Sequence, residues 1–106
     1  MKIVLFRDKK QGVVARLPGE NPEVELADLL GGETEMIPLN ERLSVVKLRD
    51  GEGMELPVRY RMHRLGKEPM PIAGDCAVVA VRLDGGLRDV STVEVVAAEA
   101  CIQPVW

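Results

Sequence analysis

Residues 76–83, CAVVAVRL, constrain the fold more than any other stretch of this chain. In an extended strand the side chains alternate between two sets, Ala77/Val79/Val81/Leu83 and Cys76/Val78/Ala80, and both sets are apolar. A strand that is apolar on both faces is typical of a sheet interior with a layer packed on each side. We therefore expect this segment to be the inner strand of the fold, ending at the turn residues 84–86.

Shorter apolar runs predict four further strands, at residues 3–6, 13–17, 34–39 and 43–48. The first two flank the charged segment RDKKQG and the last two flank NER, so each pair is interpreted as a hairpin. A turn is predicted at residues 50–53 and another strand at 54–58, interrupted at Pro57. Residues 59–71 show no sustained period and contain Gly66, Pro69 and Pro71, which predicts a loop with room for one helical turn.

The first of two predicted helices starts after Asn21, a favourable N-cap residue, with Pro22 in the first helical position. Leu26, Leu29 and Leu30 form its apolar stripe, and a glycine at 31 or 32 ends it.

The second helix covers residues 92 to about 102. Ser91 and Glu94 form a capping box, Val90 and Val95 form a hydrophobic staple, and Pro104 follows the end. The stripe expected to be buried consists of Val93, Val96, Ala97 and Ala100.

These elements predict one α+β domain over residues 1–106, with a mainly antiparallel sheet of five to six strands and two short helices. One helix covers one face of the sheet. The other face is covered either by the second helix or by a second subunit, so a homodimer stays an open alternative.

Composition excludes several classes of function. A formal net charge of -3 and only three aromatic residues disfavour nucleic acid as a partner. The longest apolar run, residues 76–81, is far shorter than the roughly 18 residues of a membrane span. The first residues do not resemble a signal peptide, which predicts a cytoplasmic protein whose two cysteines are free thiols. With one histidine and no clustered cysteines, we expect neither a zinc site nor a cofactor.

Catalytic chemistry has little support in the residues. Most carboxylates lie in predicted turns or at helix starts, where they have structural roles. Asp75 precedes the inner strand and is interpreted as a turn residue that bonds its own backbone. Because no nucleophile, base and orienting group can be identified together, the chain is predicted not to be an enzyme.

One segment departs from the acidic background. Residues 59–67 contain Arg59, Arg61, His63, Arg64 and Lys67 and no carboxylate, which gives them a formal charge of +4 and leaves -7 for the rest of a chain of -3. Guanidinium groups suit the capture of phosphate or carboxylate, so these five residues are the candidate binding site. The alternative is a solvated loop balanced by Glu52, Glu55 and Glu68.

The order of segments resembles a family of small proteins from bacteriophages, plasmids and conjugative elements that is known only as a domain of unknown function. The resemblance lies in MKIVLF, LLGG, ETEMIPLN, LSVVKLRDGEG, LPVRY, IAGDCAVVAV and LRDVSTVEV. Val58 stands where the family commonly has Asn, and residues 61–70 are particular to this chain. The resemblance implies a mobile-element accessory protein, of which many block a host defence factor, and it implies no catalytic residues.

Two hypotheses follow. The first is a non-enzymatic accessory protein that binds a host defence protein, through an acidic surface that mimics nucleic acid or through the basic segment. The second is a small nucleotide- or phosphate-binding module in which Arg59, Arg61 and Arg64 hold the phosphates.

Overall fold

The structure, a computed structural model, describes residues 1–49 and 56–106. The strands in these two ranges are β1 (Lys2–Phe6), β2 (Val13–Arg16), β3 (Thr34–Pro38), β4 (Leu43–Leu48), β5 (Val58–Met62), β6 (Met70–Ala73), β7 (Cys76–Val81), β8 (Leu87–Arg88) and β9 (Ile102–Pro104). Helix α1 (Pro22–Leu30) lies between β2 and β3, and helix α2 (Thr92–Cys101) lies between β8 and β9. The predicted α+β class with two short helices is confirmed.

A six-stranded antiparallel sheet, the large sheet, has the order β2-β1-β7-β4-β3, with β8 also paired to β7. Strand β7 lies between β1 and β4, where Val78 is in register with both Val4 and Val45. The prediction that CAVVAVRL supplies the inner strand is therefore confirmed. It was two residues too long, because β7 ends at Val81 and Leu83 is fully exposed.

Each face of β7 packs into its own core. Ala77 and Val79 lie in the core beneath α1, against Leu26 and Leu30. The opposite set, Cys76, Val78 and Ala80, lies in a second core that includes residues of β5, β6 and α2. The doubly apolar sequence of β7 is thus explained by layers on both sides of the large sheet.

Residues 59–71 are not a loop, and that prediction was wrong. Strands β5 and β6 form an antiparallel hairpin, and β9 pairs with the other side of β5 to complete a second sheet, the small sheet, of order β6-β5-β9. Residues 50–55 lie outside the described residues, so the turn predicted at 50–53 and the first two residues of the strand predicted at 54–58 are outside them too. Within the described part of that segment, β5 begins only at Val58.

Both helix starts are as predicted. The Asn21 side chain accepts a hydrogen bond from the Val24 amide, and the helix ends at Gly31, whose φ of 93° suits a glycine. At α2, Ser91 and Glu94 make the two reciprocal hydrogen bonds of a capping box.

The stripe predicted to be buried on α2 was wrong for Val93, Val96 and Ala100, which face solvent, whereas Ala97 is half-buried and packs against the core. Val93 is 78% exposed and Val96 is 63% exposed, whereas Glu94 and Ala98 are buried. The carboxylate of Glu94 can be buried because Arg88 donates two hydrogen bonds of 2.7 Å to it. This ion pair with β8 and the small side chain of Ala98 set which side of α2 faces the core.

Candidate functional site

The candidate residues begin on β5, the middle strand of the small sheet. Tyr60 and Met62 point inward and are completely buried, so their neighbour Arg61 is left on the outer face of the sheet. There Arg61 is exposed and lies opposite Gln103 on β9 and Pro71 on β6. The alternation of apolar and basic residues along β5 thus produces a basic outer face over an apolar inner one.

Arg59 has a different environment from the other candidates. A β-bulge between Val58 and Tyr60 interrupts the register at this residue, and such bulges redirect side chains. The Arg59 guanidinium donates a 2.8 Å hydrogen bond to Asp75 and lies 3.3 Å from Asp8. The bond to Asp75 and its negative charge raise the pKa of Arg59 above its ordinary value. Arg59 therefore holds the small sheet to the large sheet, and its Nη1 is already paired with these two carboxylates.

Asp75 has a tertiary role instead of the local turn role predicted for it. Its Oδ1 accepts from Arg59 and from the Asp8 backbone amide, at 2.8 and 3.1 Å. Gly74 has a φ of 75°, and its amide donates to the Pro57 carbonyl. This left-handed residue turns the chain from β6 into β7 and presents Asp75 to Arg59.

The basic residues after β5 lie in the connection to β6. The His63 amide donates to the Cys101 carbonyl, which fixes the start of this connection against the end of α2, and the imidazole is exposed. The Lys67 amide donates to the Arg64 carbonyl and closes a tight turn, with Leu65 at its exposed tip. Arg64 and Lys67 thus lie at the two ends of one turn.

A hollow of about 420 Å³ lies beside this turn. It is lined by Arg64, Leu65 and Lys67 on one side and by residues 38–41, the turn between β3 and β4, on the other. Pro38 and Leu39 supply apolar surface, while the Asn40 Oδ1 is already occupied by the amides of Arg42 and Leu43. Glu41 is the carboxylate in the lining, and no described residue forms an ion pair with Arg64 or Lys67.

Arg64, which lines this hollow, also has a side-chain donor without a partner. Its Nε is buried and has no hydrogen-bond partner among the described residues. Buried polar atoms in native proteins are usually paired, so the Arg64 guanidinium has donor capacity that its surroundings among the described residues do not use. Carboxylate and phosphate oxygens are the acceptors that a guanidinium group binds best.

The structure therefore divides the five candidates. Arg64 and Lys67 share one hollow, Arg61 and His63 lie on the exposed side of the small sheet and its connection, and Arg59 is held elsewhere. Four residues of β-strand span about 13 Å, so Arg59 and His63 lie at opposite ends of β5. The three arginines consequently do not form one phosphate clamp.

Sequence reasoning missed the pairing of Arg59 with Asp8 and Asp75, and it missed residues 38–41 as part of the site. Both contacts join segments far apart in the chain, and no local signal marks residues 38–41. The Gly74–Asp75 dipeptide was the only available indication, because a carboxylate placed before a buried strand needs a partner.

The other buried titratable groups are poorly suited to catalysis. Burial, with the nearby charge of Asp75 as a smaller contribution, raises the pKa of the Cys76 thiol to about 12, so it stays protonated at neutral pH. Burial likewise raises the pKa of Tyr60 to about 12, and the Tyr60 hydroxyl donates to the Lys10 carbonyl at 2.9 Å. Cys76 and Cys101 are both free thiols, as predicted.

The described residues define an α+β protein with a basic outer face and a small hollow, and within them no three His, Cys, Asp or Glu side chains are grouped as a metal site. Neither helix in residues 1–49 and 56–106 has the length and apolar character required to cross a membrane. The chain was compared with protein-family models, curated proteins and solved structures, and no match was found in any of the three. The resemblance to a mobile-element family thus stays a prediction.

Proposed function

We propose that this protein is a non-enzymatic binding module that holds an acidic segment of a partner protein. The contact surface, here called the basic face, consists of Arg61, His63, Arg64 and Lys67. The observation that carries the proposal is the Arg64–Lys67 hollow, where a guanidinium with a buried, unpaired Nε lies beside apolar surface. In the mobile-element setting that the family resemblance implies, the partner is a host defence protein.

The shape of the surface favours a protein segment over a small ligand. The four residues are spread over a strand and the turn that follows it, and the cations among them are not gathered in one enclosed cleft. A macromolecular partner can contact such a spread surface at several points, with Leu65 available as an apolar contact at the tip of the turn. Arginine paired with a carboxylate would give the surface its specificity.

The charge distribution also favours binding of an acidic partner at the basic face. Residues 17–35 contain six carboxylates and no lysine or arginine, and they include α1 on the opposite side of the large sheet. An acidic partner is therefore attracted to the basic face and repelled from the α1 side. This polarity increases the association rate and fixes the orientation more than it increases affinity.

A second candidate, binding of a nucleotide phosphate in the hollow, is favoured by the same unpaired Arg64 nitrogen. This candidate site does not include Arg59, because the Arg59 guanidinium is already paired with Asp8 and Asp75. The phosphate would instead rest on Arg64 and Lys67 alone.

Fluorescence anisotropy with three labelled probes tests both candidates: a glutamate-rich peptide, ATP and duplex DNA, each at low ionic strength. We expect the protein to bind the peptide. Each of the single variants Arg61→Glu, Arg64→Glu and Lys67→Glu should raise the dissociation constant for the peptide roughly fivefold or more. Arg82→Glu, an exposed arginine outside the basic face, is the matched control because it changes net charge equally.

The outcomes are distinguishable. Peptide binding that falls as much in Arg82→Glu as in Arg64→Glu would reflect net charge alone and would refute the basic face as the site. Binding of ATP without the peptide, lost in Arg64→Glu, would favour the nucleotide candidate. No binding of any probe would contradict both.

A further inference from the structure

The edge strand β2 differs from the other edges of the two sheets. Apart from the two-residue β8, the edge strands in the described residues are β2 and β3 of the large sheet and β6 and β9 of the small sheet. Three of them contain a proline, namely Pro38, Pro71 and Pro104, which cannot donate to an added strand. Proteins commonly protect sheet edges in this way, and β2, VVAR, has no proline.

The hydrogen bonds of β2 show which of its backbone groups are unused. Met1 and Leu17 exchange two 2.8 Å backbone hydrogen bonds, and the register continues as Ile3 opposite Ala15. In an antiparallel pair the bonded positions alternate, so residues 13 and 15 bond to β1 while the N–H and C=O of Val14 and Arg16 point away from the sheet. Unpaired donors and acceptors of this kind are the groups to which an added strand binds.

The same reasoning shows that the outward row of β3 is interrupted at one end. Arg49 donates to the Glu33 carbonyl and Leu39 donates to the Leu43 carbonyl, so odd-numbered residues of β3 face β4. Residues 34, 36 and 38 then point outward, and position 38 is the proline. The outward row of β2 thus has a donor at every position, whereas that of β3 lacks one of its three donors.

We propose that β2 pairs antiparallel with β2 of a second copy of this chain, about a twofold axis that passes through Ala15. In this register Val14 lies opposite Arg16 of the second copy, and the four outward positions of the two strands exchange four hydrogen bonds. A twofold axis at Val14 would leave only one bonded pair within β2. The axis at Ala15 also keeps the two Arg16 side chains from lying directly opposite each other.

The side chains of β2 are compatible with pairing to β2 of a second copy. Val13 and Val14 are 59% and 54% exposed, and they project to opposite faces of the large sheet, so both are left uncovered in one copy. In the paired register Val14 would contact the aliphatic stem of Arg16 from the second copy, and Val13 would lie opposite Leu17. The residue on the axis is alanine, whose small side chain permits close approach.

Because the paired segment is short, the dimer should be weak and reversible. Sedimentation equilibrium over a wide concentration range should show the 11.6 kDa chain approaching twice its mass at high concentration. Val14→Pro removes two outward donors per dimer and leaves the bonds to β1 intact, so it should raise the dissociation constant roughly tenfold or more. Met36→Pro, at the outward position of the opposite edge, is the matched control and should dimerise normally.

A cross-linking experiment keeps the proposal testable if Val14→Pro fails to fold. Opposed residues of a non-bonded pair have Cα atoms about 4.5 Å apart, within the range of a disulfide. Ala15→Cys should therefore form a covalent dimer on mild oxidation, whereas Val13→Cys and the wild type should not. A wild type that stays monomeric throughout, equal cross-linking of Val13→Cys, or a dimer lost in Met36→Pro but not in Val14→Pro would overturn the proposal.

Discussion

The contact between Arg88 and Glu94 gives the sharpest stability prediction, because it joins a buried carboxylate, a helix start and a strand. Nη1 and Nη2 of Arg88 each donate a 2.7 Å hydrogen bond to the Glu94 carboxylate, and the Ser91 amide donates to it at 3.0 Å. These hydrogen bonds, with that from Arg88 the largest contribution, lower the pKa of Glu94 to about 2.

The magnitude follows from the linkage between protonation and folding. A tenfold change in acid dissociation is worth about 1.4 kcal/mol, so a fall in the pKa from 4.5 to about 2 sets an upper bound of roughly 3.5 kcal/mol. The Arg88 side chain is one-third exposed, and solvent screening lowers the expected contribution to about 1–2 kcal/mol.

The sign of the pH dependence is fixed by the direction of the shift. Since the pKa is lower in the folded protein, the stabilisation is complete above about pH 4.5 and is lost as the pH falls toward 2. Glu94→Gln, which resembles the protonated acid in shape, should lower the free energy of unfolding at pH 7 by about 1–2 kcal/mol. The difference from wild type should shrink steadily between pH 4.5 and 2.

Urea denaturation followed by circular dichroism at a series of pH values measures this difference. Glu99→Gln is the matched control, because Glu99 is an exposed carboxylate on the same helix and should change stability little. Equal stability of Glu94→Gln and wild type at pH 7 would refute the reasoning. A deficit that stayed undiminished at pH 2 would show that shape, not charge, is responsible.

Three further predictions concern other parts of the molecule. Arg59→Gln should lower the free energy of unfolding by about 1–3 kcal/mol, because it removes charged hydrogen bonds between the sheets, but should leave binding of the acidic peptide unchanged. The Cys76 thiol, buried and with a pKa of about 12, should resist a thiol reagent at pH 8 until the chain unfolds, whereas the half-buried Cys101 should react sooner. Val96→Lys on the exposed side of α2 should change stability by less than about 0.5 kcal/mol, whereas Ala98→Lys should cost several kcal/mol or prevent folding.

Each of these has a distinct contrary result. Loss of peptide binding in a folded Arg59→Gln variant would place Arg59 in the binding surface. Modification of both thiols at one rate in the native protein would contradict the burial of Cys76. If Val96→Lys destabilised the protein as strongly as Ala98→Lys, the orientation of α2 would be wrong.

The strongest local signals in the sequence were reliable guides to the fold. The doubly apolar run that became β7 needs cover on both faces, and the caps at Asn21 and Ser91 satisfy backbone amides that a helix start always leaves open. These features act within a few residues of the chain, so they can be identified without tertiary information.

The errors arose where distant residues decide the outcome. Val93 and Val96 look like part of a buried stripe, but the pairing of Glu94 with Arg88 turns the side that carries Glu94 and Ala98 inward. Strand β5 alternates Arg59, Tyr60, Arg61 and Met62, which is the period of a strand, yet it is short, and its second neighbour, β9, comes from the end of the chain. The period is not sustained beyond these four residues, and Gly66, Pro69 and Pro71 favour a loop in the sequence.

The candidate site was predictable as a set of charges but not as an arrangement. Which arginines are available depends on Asp8 and Asp75, and the hollow depends on residues 38–41 of the turn between β3 and β4.

The central claim is that the basic face binds an acidic protein segment, and a titration followed by amide NMR tests it most directly. Adding a glutamate-rich peptide to the ¹⁵N-labelled protein should shift the amide signals of residues 61–67 and of residues 38–41 across the hollow, while those of α1 stay in place. Shifts confined to α1, or no shifts at peptide concentrations that saturate the anisotropy signal, would contradict the claim.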